Sequence, residues 1–272
     1  FPDHFSSDYL KVYDAVDAFT SEDPHLKQTW NAYEKKHVSK SDITFANQQT
    51  LCDRLRKLTS RVYKVPIGFS KKLISHVKTK EPSDVQGIPH PKIMFVGNIN
   101  NRIDFPFLIS LIKETPQYSY VFVGGMDPYF TVPLSRFKQN IETLASQPNV
   151  YFLGPKPKTD IASYIRAADI GLIPYDAGQE FNRACFPMKT LEFFAMGIPV
   201  ISTNIHELKR LSPYVTISDS PDGAKKDLRR ILSSPWPDRY KRKEYALAIQ
   251  HTWEKKVSAI RSILKKRFDL SI

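Results

Sequence analysis

At 272 residues with 41% hydrophobic content, the chain is long enough to bury one large core or two smaller ones. Lys and Arg number 40 against 28 Asp and Glu, a formal net charge of +12, which fits nucleic acid, an acidic membrane surface, phosphorylated small molecules or a merely solvated basic surface. No run approaches the ~18 consecutive apolar residues of a membrane span, and FPDHFSSDYL at the start lacks a basic head and an apolar signal core, so a cytoplasmic address is expected. The chain starts at Phe1 rather than Met, from which an upstream segment is expected to be missing. Cys52 and Cys185 stand in no metal or redox spacing and are expected to be reduced and structural. The seven histidines show no ligand spacing either.

In chain order, YDAVDAF, a polar helical stretch around HLKQTWNAYEKKH, SDITFANQQTLCDRLRKL and VYKVPIGF read as the end of an α/β unit over residues 1–70. That is short for an independent doubly wound domain, so the unit is expected to be the tail of a larger one. Residues 71–90, with KTKEPSDVQGIPHP, are polar and rich in Pro and read as a linker. From Pro91 to residue 234, β-rich runs alternate with amphipathic spacers: KIMFVG (92–97), SYVFVGG (119–125), NVYFLG (149–154), ADIGLIP (168–174), IPVIST (198–203) and YVTIS (214–218). Continuous apolar strands joined by helix-length spacers predict a doubly wound parallel sheet covered on both faces. Residues 235–272 read as two terminal helices, with Tyr245, Ile249, Val257, Ile260 and Leu264 as apolar stripes. Met94, Met126, Met188 and Met196 are expected in the core.

In such a sheet, ligands bind in the loops beyond the carboxyl ends of the strands. These are GNINNR (97–102), GGMDPYF (124–130), GPKPKTD (154–160) and PYDAGQEFNRACF (174–186). CFPMKTLEFFAMGIPVIST (185–203) follows, with Pro187 suited to a first helical turn and Phe186 a poor cap. Lys189 in that first turn opposes the helix dipole unless it faces an anion, and Glu192 lies three residues on, on the same face. A surface Lys–Glu pair is the alternative. No G-x-G-x-x-G follows any strand, which argues against a dinucleotide enzyme.

Read as P-x-K-x-x-E-x-x-A-x-G-x-P-V, with Pro187, Lys189, Glu192, Ala195, Gly197, Pro199 and Val200, this segment resembles the nucleotide-sugar signature of GT-B glycosyltransferases. The resemblance is to the retaining bacterial group, family 4/1-like, that builds cell-surface polysaccharides. FVGNINNRID, the strand ending VFVGG, NVYFLGPKPKTDIASYIRAADIGLIPY and HTW resemble further segments of that family in the right order, over about residues 91–265. VYKVPIGF resembles the run that closes its acceptor domain, without the usual Asn.

The resemblance implies a Rossmann-like donor domain and part of a second Rossmann-like, acceptor-side domain, with the C-terminal helices packing back across both. It implies transfer of a glycosyl group from a nucleoside-diphosphate sugar to a saccharide or lipid-linked acceptor, with retention and without a metal or other cofactor. Glu192 would accept from the ribose hydroxyls, while Arg102 and Lys189 would stabilise the leaving phosphate, and Gly97, Asn98 and Pro187 would border it. Lys156 would meet the base. Where relatives carry a second glutamate that touches the sugar, this chain has Ala184, so Asn182, Arg183 or the backbone of the 178–186 loop is expected to take over that contact. An anionic membrane surface is a further expected partner, nucleic acid is not, and no DxD motif occurs. A GT-B-like epimerase and a non-catalytic nucleotide-binding module remain the alternatives.

Overall fold

The computed structural model describes residues 9–18, 20, 21, 23–75, 80–127 and 134–269. Its first sheet is parallel, with β1 (Val12–Ala15), β2 (Ile43–Ala46) and β3 (Val62–Lys64) in that order and α1 (Pro24–Lys40) and α2 (Gln49–Leu55) as the connections. Asp23 starts α1 by accepting from the backbone N–H groups of His25 and Leu26, and Pro24 fills a first-turn position that needs no N–H. Side chains alternate along β2. Ala46 joins Val38, Leu51 and Leu55 under the two helices, whereas Ile43 and Phe45 belong to a separate cluster on the other side.

The segment expected as a linker carries two one-turn helices, α3 (Lys72–Ser75) and α4 (Ser83–Gln86), and buries Val85 and Ile88 in the larger core. Six parallel strands follow: β4 (Lys92–Val96), β5 (Ser119–Val123), β6 (Val150–Gly154), β7 (Ile170–Ile173), β8 (Val200–Ser202) and β9 (Val215–Ile217). Their spatial order is β6-β5-β4-β7-β8-β9, and each expected run is a strand trimmed at one or both ends. Every residue of β4, β5, β7 and β8 is buried, as strands covered on both faces require.

The connections are α5 (Phe105–Glu114), α6 (Leu134–Ala145), α7 (Ile161–Arg166), α8 (Glu180–Arg183), α9 (Lys189–Ala195) and α10 (His206–Lys209), followed by α11 (Pro221–Leu232), α12 (Asp238–Ile249) and α13 (Trp253–Phe268). α5 packs with α6 and α11, and α9 packs with α7 and α12, which covers the two faces. At Gly171 in β7 a Cβ would lie 2.6 Å from the Phe193 ring, so the missing side chain is what seats α9 on the sheet. α13 returns to the first sheet, where Ala259, Ile260, Ile263 and Leu264 cover Ile43 and Phe45. Among the described residues no helix is long and apolar enough to cross a membrane.

Two expectations about packing need correction. Tyr245 and Val257 are 43% and 45% exposed and form no buried stripe. α12 instead turns Glu244 and Ala248 inward, and α13 turns Lys256 inward, whose Nζ donates to Asp14 Oδ2 at 2.8 Å. Of the methionines, Met94 is buried, but Met126 and Met188 lie exposed on the loops at the carboxyl edge of the sheet.

Glu244 is fully buried; its Oε1 accepts from Trp236 Nε1 at 2.8 Å and its Oε2 has no partner among the described residues. Desolvation pushes its pKa up to about 7, against the pull of Trp236 and Lys241. An acid whose pKa is raised by folding loses stability as pH climbs from its unfolded value, 4.5, through about 7. Glu244→Gln keeps the acceptor for Trp236 and removes the charge. Denaturant unfolding should show little difference from wild type at pH 5 and a gain on the order of 2 kcal/mol at pH 8.

Candidate functional site

β4 and β7 are neighbours, yet β4 hands the chain on to β5 on one side and β7 hands it to β8 on the other. A crevice opens above their carboxyl ends at such a point. A cavity of about 880 Å³ lies there. Gly97, Asn98 and Arg102 after β4, Gly124 and Gly125 after β5, Pro155 and Lys156 after β6, and Tyr175 and Cys185 to Lys189 after β7 line one side. Residues 128–130 of the second expected loop lie outside the described residues. The facing wall comes from Val16, Asp17 and Ile67 to Ser70 of the first unit, with Trp253 and Lys256 of α13.

Close backbone approach shapes the floor. Gly124 has φ +151°, and a Cβ on it would sit 2.1 Å from the Gly97 carbonyl oxygen. Gly97 has φ +127°, and a Cβ there would come within 3.0 Å of Lys189 Nζ. Both positions need glycine, and the lysine reaches over the first loop because of it. Lys189 Nζ donates to the Tyr175 hydroxyl at 2.7 Å and lies 3.8 Å from the centroid of the Phe95 ring. The rings hold the ammonium by cation–π attraction, and the one hydrogen bond leaves two of its three donors for a ligand.

Arg102 is held more firmly still. Its guanidinium lies 4.3 Å from the Tyr175 ring centroid and 4.7 Å from that of Phe181. Nε donates to Asn182 Oδ1 at 2.9 Å and Nη2 to Cys185 Sγ at 3.1 Å. Burial pushes the Cys185 thiol up to about 11 while Arg102 draws it down, so it stays protonated at neutral pH. Glu192 lines the same cavity one turn beyond Lys189. Desolvation raises its pKa and Lys189 opposes the rise. Its carboxylate has no hydrogen bond or ion pair among the described residues, so it presents free acceptors to the cavity.

Gly97, Asn98, Arg102, Lys156, Pro187, Lys189 and Glu192 are therefore brought together, and two expected contacts are not. Asn182 is fully buried; its Nδ2 donates to the carbonyls of Arg102 and Asp176, both at 3.0 Å. It cannot meet a sugar and instead fixes Arg102. Arg183, next to it on the one-turn α8, faces outward into a smaller cavity of about 380 Å³ with Ala184, Thr20, Thr50, Arg54 and His206. Lys156 lines the large cavity but is paired to Asp84 Oδ2 of α4 at 2.7 Å. The helix start also moves. Met188 takes helical angles, Thr190 and Leu191 donate back to Pro187 and Met188, and α9 begins at Lys189, with Pro187 buried in the wall ahead of it.

Side chains that sequence reasoning missed complete the site. Phe95 reads simply as a core strand residue, and Asp17 lies in YDAVDAF, which carries no motif by itself. Trp253 and Gly68 belong together, since a Cβ on Gly68 would sit 2.4 Å from the indole. The Phe186 ring stacks on His251, with centroids 5.8 Å apart and planes at 12°. Lys72, Arg102, Lys156, Lys158, Lys189 and Lys256 line the cavity against two carboxylates, Asp17 and Glu192, a balance that favours an anion. Among the described residues no group of His, Cys, Asp and Glu is arranged to hold a metal ion. Asn182→Ala leaves the Arg102 Nε unpaired and removes one of two donors from each of the Arg102 and Asp176 carbonyls, which keep the N–H groups of Asp176 and Gln179, and its denaturant midpoint should report a loss of about 1–3 kcal/mol.

Residues 90–233 match the family described as Glycosyl transferases group 1. TuaH of Bacillus subtilis (strain 168), which carries the name of a teichuronic acid biosynthesis glycosyltransferase, is 28% identical over 206 residues, covering 73% of this chain and 50% of that protein. The chain thus spans about half the length of the curated relative it matches. Among solved structures, the sucrose-phosphate synthase of Thermosynechococcus elongatus superposes with a TM-score of 0.76 at 16% identity, over 98% of this chain and 69% of that one. Anabaena HepE in complex with UDP and glucose gives 0.67 at 17% identity, over 95% and 71%. These solved proteins share the GT-B fold with it, and with more than half of its length matched the chain belongs to the Glycosyl transferases group 1 family.

Proposed function

We propose that the protein transfers a glycosyl group from a nucleoside-diphosphate sugar to a saccharide or lipid-linked acceptor, with retention and with fixed cations in place of a metal. The observation that carries this reading is the pairing on α9: Lys189 with donors to spare and Glu192 with free acceptors, one turn apart in one cavity. A diphosphate beside Gly97 would meet Lys189 and the remaining guanidinium donors of Arg102. Glu192 would then accept from the two ribose hydroxyls. As the bond from the sugar to phosphate breaks, negative charge collects on the departing oxygen. Cations already held by aromatic rings and by Asn182 stabilise that charge without reorganising.

That HepE has been solved with UDP and with UDP-glucose supports a nucleotide sugar as donor, and the name of TuaH supports a polysaccharide product. An epimerase or a non-catalytic module would use the same donor cavity, but the matched family and the relative's name favour transfer. Exposed Lys255, Lys265, Lys266 and Arg267 on α13 support docking on an anionic membrane face. Pelleting with anionic vesicles should then fall as salt rises, and pelleting indifferent to salt would remove that docking.

Titration calorimetry with uridine and guanosine diphosphates tests the main reading. At least one should bind below the millimolar range. Glu192→Ala should weaken the nucleotide roughly ten-fold or more while sparing inorganic pyrophosphate, since a lost hydrogen-bonded charge is worth about 1.5–3 kcal/mol. Lys189→Ala should weaken both, pyrophosphate most.

A further inference from the structure

One carboxylate of the large cavity stands apart from the donor loops. Asp17 follows β1 at the carboxyl end of the first sheet, on the wall that faces the nucleotide loops. Its carboxylate makes no hydrogen bond or ion pair with a described residue; desolvation raises its pKa and the charge of Arg102 opposes the rise. Cys185 feels Asp17 in turn. Asp17 and Cys185 line the large cavity, whereas their chain neighbours Ala18 and Ala184 line the smaller one, so Asp17 stands on the partition between the two.

An unpaired carboxylate among cations that suit a diphosphate works against donor binding. Phosphate oxygens offer it no donor, whereas a hydroxyl does. The ribose is already matched by Glu192 on the opposite wall, which leaves the hydroxyls of the reacting sugars. Asp17 belongs to the unit that does not carry the donor loops.

We propose that Asp17 binds the acceptor: its carboxylate accepts a hydrogen bond from the attacking hydroxyl and orients that oxygen toward the donor sugar. This rests on the glycosyl-transfer reading above. The new bond forms between the acceptor oxygen and the sugar carbon, and the sugar–phosphate bond breaks with its electron pair going to phosphate. The hydroxyl proton passes to the departing phosphate oxygen, so Asp17 positions and does not consume a proton.

The test uses the whole chain, wild type and Asp17→Asn, with UDP and UDP-glucose as probes in calorimetry and with UDP release from UDP-glucose in the presence of a panel of alkyl glycosides. Asp17→Asn should bind UDP and UDP-glucose as tightly as wild type or several-fold tighter, while kcat/KM for the glycoside falls at least ten-fold. Asp17→Glu should recover part of the loss. Weakened UDP binding in Asp17→Asn would make the carboxylate a donor-site element, and weakened UDP-glucose binding alone would assign it to the donor sugar; either overturns the proposal. Unchanged turnover overturns it too, with donor binding intact. A wild type that binds neither nucleotide, or is silent with every glycoside, would instead bring down the transfer reading and this proposal with it.

Discussion

Two adjacent parallel strands that send their chains in opposite directions impose the constraint on which the site depends. Beyond β4 and β7 the sheet can no longer pair the backbone, so the two loops must satisfy one another. They do so through the Asp104 N–H to the Pro174 carbonyl at 2.8 Å, the Asp176 N–H to the Arg102 carbonyl at 2.7 Å, and a bridge between Ile103 and Tyr175. Asn182 closes what remains. With the backbone accounted for in this way, Arg102, Tyr175 and Lys189 are left to define the floor of the crevice.

Tyr175 ties the two cations together. Its ring lies against the Arg102 guanidinium and its hydroxyl accepts from Lys189, so two like charges share one aromatic support. Rings shield one side of each cation from water without neutralising it. The charge is therefore directed toward the cavity, where a dry wall strengthens its pull on an anion. Glu192 balances this field only in part, since its hydrogen-bonding capacity stays unused within the protein.

The repeating part of this arrangement was legible in the sequence. Continuous apolar runs such as KIMFV and SYVFV can only be strands with both faces covered, and the loops after them had to hold the ligand edge. Lys189 and Glu192 stood out because a cation in a first helical turn is electrostatically misplaced without an anion. The loop from Gln179 to Cys185 has no period, so nothing local distinguished Asn182, buried under Arg102, from Arg183, turned to the other cavity. Lys156 reads as a base contact because its partner, Asp84, lies far off in the chain. The terminal helices misled for a related reason. Lys256 and Glu244 look like surface residues until Asp14 and Trp236 are brought beside them.

The bridge between Phe69 and Thr252 sits where the chain crosses between the two sheets for the second time. Phe69 donates to the His251 carbonyl at 2.9 Å and accepts from the Trp253 N–H at 3.2 Å, so the two crossings are stitched into one short seam. In mechanical terms the seam is a fulcrum. Its two hydrogen bonds tie the units at this point, and a rotation of one against the other about it would swing the Asp17 wall relative to the Arg102 wall. His251, within the seam, also stacks on Phe186. A turn at the fulcrum would therefore bear on the segment that carries Pro187 and Lys189, coupling the gap between the two walls to the position of Lys189.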